Sequence, residues 1–205
     1  VGVGINIVST RLARTRPLFG ALGCTRSSHK LMLVQALPIV GYALQGGKCS
    51  TCGHKISISY PAVELGLGLL YGALYLLDGI GAQLLFHALY VAVLVLVLVM
   101  DWKHRDIYLS VIGSGVLVAL LGSVLLPEIG IVSALVGAAV AGAFFLLAYI
   151  LAKLIFPRIE EPLGVGDVFL ALMMGVMLGF PNIVGALLIG PLLAGAIAIL
   201  MLVSR

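Results

Sequence analysis

The chain has 205 residues, 62% of them hydrophobic and 10% charged, with a mean hydropathy of +1.23 and a formal net charge of +4. So few polar side chains could not cover a core of this size in water, which excludes a soluble globular fold. The positive charge does not point to nucleic acid, because the basic face of a membrane protein accounts for it.

The composition predicts an all-α integral membrane protein. In chain order, the opening "VGVGINIV", residues 1–8, is apolar but too short to span and reads as the end of a first membrane span. Residues 9–59 hold most of the polar content and read as a basic extramembrane segment, with a moderately apolar stretch over 31–45 that fits a membrane interface. The remainder, 60–205, reads as a polytopic helical domain. Six apolar runs follow one another there, over 60–77, 83–100, 107–126, 131–152, 166–180 and 183–203. Short turn- or charge-bearing separators such as "DGIGA", "DWKHRD" and "PEIG" divide them. The run 166–180 is short for a span of ~20 residues. The 26 glycines suit close approach of membrane helices.

If the six runs alternate across the bilayer, one side receives residues 1–59, 101–106, 153–165 and Arg205, and with them all 12 Lys and Arg residues. The other side receives only Asp78 and Glu128 as charges. The positive-inside rule therefore places the first set in the cytoplasm.

That topology brings two acids to one depth. Asp101 closes the second run, and Asp167 opens the fifth. Ionisable groups at such places are expensive and usually line a polar site. Two carboxylates that meet can share one proton, so that one activates water while the other polarises a carbonyl, which is amide hydrolysis without a metal. The helix dipole favours charge on Asp167, in a first turn, over Asp101 at a carbonyl end, which makes Asp167 the expected base. Lys103, His104 and Arg105 oppose that division unless they point to the headgroups, as expected here. The competing reading ends each helix near headgroups, with the acids paired to Lys103, Arg105 or Arg158. A small transporter or channel passing cations or protons along the two acids is the alternative function, but it calls for acids near the midplane and an inverted repeat.

"GVGD", residues 164–167, resembles the GxGD signature of intramembrane aspartyl proteases. "YPAVELGLGLLYGALY" and "MDWKHRDI" narrow the resemblance to the bacterial prepilin peptidases, or type IV leader peptidases. "GVGINIVSTRL" is similar to that family's GSFLNVVIYRL, and "GGKCSTCGHKISISYPAVE" resembles its cytoplasmic cysteine segment running into the second span. The resemblance implies an aspartyl endopeptidase of the bacterial inner membrane. It would cleave the basic leader of type IV prepilins and pseudopilins after a glycine, at the cytoplasmic face, with no cofactor for proteolysis. By motif position the catalytic pair falls on Asp101 and Asp167, with Gly164 and Gly166 in the active-site loop. Many members also methylate the new N-terminus with S-adenosylmethionine. Here Leu33 and Gln35 replace the Trp and Asp often seen in the segment linked to that activity. Phe169 and Tyr108 stand where the family commonly has Lys and Pro, and the first cysteine pair reads "CTRS", with Ser27 in place of the second cysteine.

Cys49 and Cys52 form a C-x2-C knuckle, and Cys24 is the only other cysteine. Disulfides are disfavoured on the cytoplasmic side, so the three thiols point to a structural zinc, with His29, His54 or an outside group as fourth ligand; the competing reading is three reduced thiols without a metal. Glu64 is expected either to be stabilised by its own helix dipole or to stand behind the active site. Glu160 and Glu161 would steer a basic leader toward Asp167, or be a solvated loop pair. His87 reads as a hydrogen-bonded packing residue, and Asp78, Asp106 and Glu128 as solvated ends.

Overall fold

The structure, a computed structural model, describes residues 2–12, 38–49, 52–53, 55–104, 108–126, 129–159 and 163–203. These residues form eight helices, and no strand beyond one isolated antiparallel bridge, Lys48 to Lys55. The chain divides into two compact units, Val1–Asp106 and Ile107–Arg205.

The first unit contains α1 (Gly2–Leu12), α2 (Pro38–Leu44), α3 (Ser59–Asp78) and α4 (Ala82–His104). α1 continues four residues past the expected end of the opening apolar segment. α3 and α4 form an antiparallel hairpin. At its turn, Asp78 Oδ2 accepts a hydrogen bond from His87 Nδ1 at 2.7 Å, and Tyr71 Oη donates to the carbonyl of Ala88 at 3.2 Å. Asp78 is therefore not the solvated end the sequence suggests: it is only 16% exposed and paired to a histidine in the next helix. α1 packs along both partners around Ile5, Leu67 and Val99, three apolar residues drawn from the three helices.

The second unit contains α5 (Leu109–Leu125), α6 (Ile131–Ile155), α7 (Val165–Leu178) and α8 (Asn182–Val203). α6 and α7 cross at backbone contact. A methyl group on Gly137 would lie 2.4 Å from the carbonyl oxygen of Gly175, and one on Gly175 2.5 Å from that of Gly137. Ala134, Ala141 and Ala171 continue the buried small-residue seam, the packing by which membrane helices gain dispersion contacts without a hydrophobic drive. α5 buries Val111, Gly115, Ala119 and Gly122, a stripe at helical spacing, and its main neighbour is α7. The far end of α7 is stapled to α6: Phe180 N–H donates to Ser133 O at 3.0 Å, and Ser133 Oγ donates to Phe180 O at 2.7 Å. Gly179 makes that turn with φ of 64°, a conformation side chains resist.

Among the described residues, four helices are long and apolar enough to cross a membrane: α3, α4, α6 and α8. α5, with 17 residues, and α7, with 14, are shorter, so only four of the six apolar runs reach that length. At 1.5 Å per residue α7 extends only ~21 Å, against a hydrocarbon core of ~30 Å. Leu76, Leu77, Leu192 and Leu200 are among many large apolar side chains left exposed, a surface suited to lipid rather than water.

Candidate active site

Asp167 is the third residue of α7. Its backbone N–H donates to Gly164 O at 3.1 Å, and Gly164 itself is extended, at φ −72° and ψ 139°. The half-buried side chain folds back over the start of its helix, so that a methyl group on Gly164 would meet Oδ2 at 3.3 Å. A carboxylate placed there lies at the positive end of the helix dipole, which favours its ionised form. By helical spacing it shares a face of α7 with Ala171 and Gly175, the residues packed on α6. Gly164 stands just before the helix and Gly166 inside its first turn rather than in a loop, with the acid at the end of the packed seam. Phe169 lies on another face and is exposed.

Asp101 stands in the last turn of α4, which continues through "DWKH" to His104. Val99 and Met100 are buried, whereas Leu98, Asp101 and Trp102 are exposed. Lys103 departs from the expected course toward the headgroups. Its Nζ donates to Asn6 Oδ1 at 3.3 Å and lies 4.6 Å from the ring centre of Tyr60. Asn6 is 2% exposed and donates through Nδ2 to Gly2 O at 3.2 Å. Lys103 is thereby tied to α1 and α3, and its ammonium is engaged away from the outward side of α4. Asn6 and Tyr60 were missed in the sequence because each reads as ordinary helix content. The sequence carries only a partial signal, an asparagine inside one apolar run and a lysine at the edge of another, with nothing that pairs them.

Glu64 lies in the second turn of α3, and its carboxylate serves a different helix from the one expected: Oε2 accepts the N–H of Ile39 at 3.1 Å, at the start of α2. α1 approaches on the other side, where a methyl group on Gly2 would come within 3.0 Å of Glu64 Cα.

α2 leads into the cysteine turn. Ile56 N–H donates to Gly47 O and Gly53 N–H to Cys49 O, both at 2.8 Å, with Gly53 at φ 67°. This closed turn carries Cys49, buried, and Cys52, exposed, both outside any disulfide. Two thiols on one tight turn fit half of a tetrahedral zinc site. No cluster of three or more metal-ligating side chains occurs among the described residues. Cys24, Ser27, His29 and His54, along with Glu160, Glu161, Leu33, Gln35, Asp106 and Glu128, lie outside those residues.

Asp101 belongs to the first unit and Asp167 to the second.

Residues 1–77 match the family model of the bacterial peptidase A24 N-terminal domain, and residues 88–199 match that of the type IV leader peptidase family. The chain is 30% identical over 205 residues to a prepilin leader peptidase/N-methyltransferase of Myxococcus xanthus, covering all of this chain and 61% of that protein. It is 31% identical over 186 residues to the protein of the same name from Bacillus subtilis, covering 86% of this chain and 70% of the relative. A shorter match, 45% identical over 49 residues, joins it to the Neisseria gonorrhoeae protein of that name. No solved structure matches at the same stringency.

Proposed function

Because this chain belongs to the type IV leader peptidase family, we propose that it is a membrane aspartyl endopeptidase that removes the basic leader of type IV prepilins or pseudopilins. Asp101 and Asp167 are its catalytic pair. Asp167, as carboxylate, takes a proton from a water whose oxygen attacks the scissile carbonyl after a glycine. Asp101 gives its proton to the carbonyl oxygen. On collapse the leaving nitrogen takes a proton from Asp167, while the Asp101 carboxylate takes one hydroxyl proton back, which releases the amine and the acid and restores both aspartates. No metal enters the hydrolysis.

The observation that carries this reading is the setting of Asp167: a carboxylate at the third position of a helix entered through Gly164, at the end of a packed glycine and alanine seam. Asp101 is exposed in the last turn of α4. In this reading α3 to α8 make six crossings of the inner membrane, with both acids at the cytoplasmic face. Glu160 and Glu161 attract the basic leader there. Cys24, Cys49 and Cys52 hold a structural zinc with a histidine. Methylation with S-adenosylmethionine accompanies cleavage only if the altered segment around Leu33 and Gln35 retains it.

The test is cleavage of a purified prepilin by the full chain in lipid nanodiscs. Asp101→Asn and Asp167→Asn each abolish cleavage if the pair is catalytic. Wild-type rates in either variant would refute the assignment.

A further inference from the structure

We propose that Lys103 is a positioning residue for Asp101, acting through an inward clasp on Asn6 and Tyr60; as a statement about catalysis this rests on the peptidase reading above. Asp101 lies in the final turn of α4, three residues before the helix ends at His104. The last carbonyls of a helix have no partners within it, so its final turn frays most readily and side-chain contacts there add to its order. Residues two apart point to opposite sides of a helix. Whatever pins Lys103 inward therefore also turns Asp101 outward.

The pinning is specific. A lysine at a membrane edge ordinarily extends toward water and headgroups. Lys103 instead reaches between two other helices to a buried amide, 3.3 Å from Nζ, and across the face of Tyr60 at 4.6 Å. Asn6 is fixed in turn by its own bond to Gly2 O, and the carbonyl of Asn6 is bonded by Ser9 Oγ at 3.0 Å, with Ser9 fully buried. Both ends of the clasp sit on helices. The aliphatic stem of Lys103 continues the inward face begun by Val99 and Met100. The last turn of α4 is thus tied to α1 and α3, and the direction of Asp101 is tied with it.

Lys103→Met keeps an unbranched stem but removes the ammonium, Asn6→Ala removes the acceptor, and Lys103→Arg keeps a cation able to reach both partners. In cleavage assays the first two lower kcat about tenfold, with KM within about twofold, because an acid misdirected by an ångström loses reactivity rather than substrate affinity. Lys103→Arg retains most of kcat. The double variant Asn6→Ala with Lys103→Met loses no more than either single, as expected of two ends of one contact. Unchanged kcat in both single variants, additive losses, or parallel changes in KM and thermal stability without a fall in kcat would overturn the proposal. A readout without substrate separates it from the peptidase reading. Amide exchange over residues 100–104 rises about fivefold in Lys103→Met and Asn6→Ala, the change expected on losing one hydrogen bond. Unchanged exchange refutes the clasp even if cleavage is observed. An inactive wild-type chain with raised exchange in the variants refutes the peptidase reading and leaves the clasp standing.

Discussion

Asp167 Oδ2 lies over Gly164 closely enough that a methyl group at residue 164 would meet it at 3.3 Å. The backbone of Gly164, at φ −72°, would accept any L-residue. Glycine is needed there for space beside the carboxylate, not for backbone freedom. Gly164→Ala should therefore fold normally while displacing the carboxylate by a few tenths of an ångström. The expected result is a fall in kcat of about tenfold with KM little changed. Steady-state cleavage of a prepilin alongside a melting curve checks it. Equal kcat in the alanine variant would show that the contact carries no catalytic weight.

The seam behind that acid rests on two glycines facing each other across α6 and α7. A methyl group on either meets the carbonyl of the other at 2.4 to 2.5 Å, and backbone cannot yield as a flexible side chain can. Gly137→Ala or Gly175→Ala should destabilise the chain by about 1–3 kcal/mol, the usual penalty for overpacking. Gly72, inside α3 with nothing within 4 Å of an added methyl, is the control. Gly72→Ala should be neutral or stabilise by up to about 1 kcal/mol. Thermal unfolding of the three variants in one detergent distinguishes the two kinds of glycine. Equal melting temperatures would contradict the backbone contact.

Much of this architecture was legible in the sequence because hydropathy reports which segments can enter lipid. The run 60–77 became Ser59–Asp78, 131–152 became Ile131–Ile155, and 183–203 became Asn182–Val203. The polar "DWKH" reads as a loop, yet it completes α4, since helix propensity and the inward clasp outweigh its polarity there. Pairings of polar residues were not legible. Asn6 and Lys103 are 97 residues apart, and nothing in the local pattern of either names the other. For the same reason Asp78 reads as a solvated end in the sequence, whereas in the structure His87 lies beside it. Single acids at the ends of apolar runs stand out because burying charge is costly, which is why Asp101 and Asp167 are legible from the sequence alone.

The closed turn carrying Cys49 and Cys52 leads to a prediction about metal removal. If the thiols hold zinc together with Cys24 and a histidine, the purified chain carries one Zn²⁺, and Cys49→Ser lowers that content severalfold. Stripping the metal with a chelator should expose the segment around residues 47–56 to proteases, because zinc in such turns acts as a folding constraint. Cleavage of prepilin should survive, since hydrolysis by two carboxylates does not require it. Elemental analysis showing no stoichiometric zinc would remove the metal from this account, and loss of cleavage on chelation would reject the metal-free mechanism.

Glu64 joins three helices, and its chemistry allows a sharp test. Its Oε2 accepts the N–H of Ile39, one of the amides that α2 cannot satisfy within itself, and Gly2 of α1 presses on its backbone. What α2 requires from residue 64 is an acceptor oxygen at the right height on α3, and a neutral amide oxygen supplies one as well as a carboxylate does geometrically. Glu64→Gln should therefore keep α2 docked, while Glu64→Leu, similar in size but without an acceptor, should release its first turn. The loss expected for one such partly exposed bond is about 0.5–1.5 kcal/mol, which corresponds to roughly a two- to tenfold rise in amide exchange over residues 39–44. If Glu64 acts instead on the reacting acids, Glu64→Gln would depress cleavage as much as Glu64→Leu while leaving α2 exchange untouched. Measuring exchange and cleavage on the same two variants decides between them. Equal exchange in the glutamine and leucine variants would show that α2 is held by something other than this carboxylate.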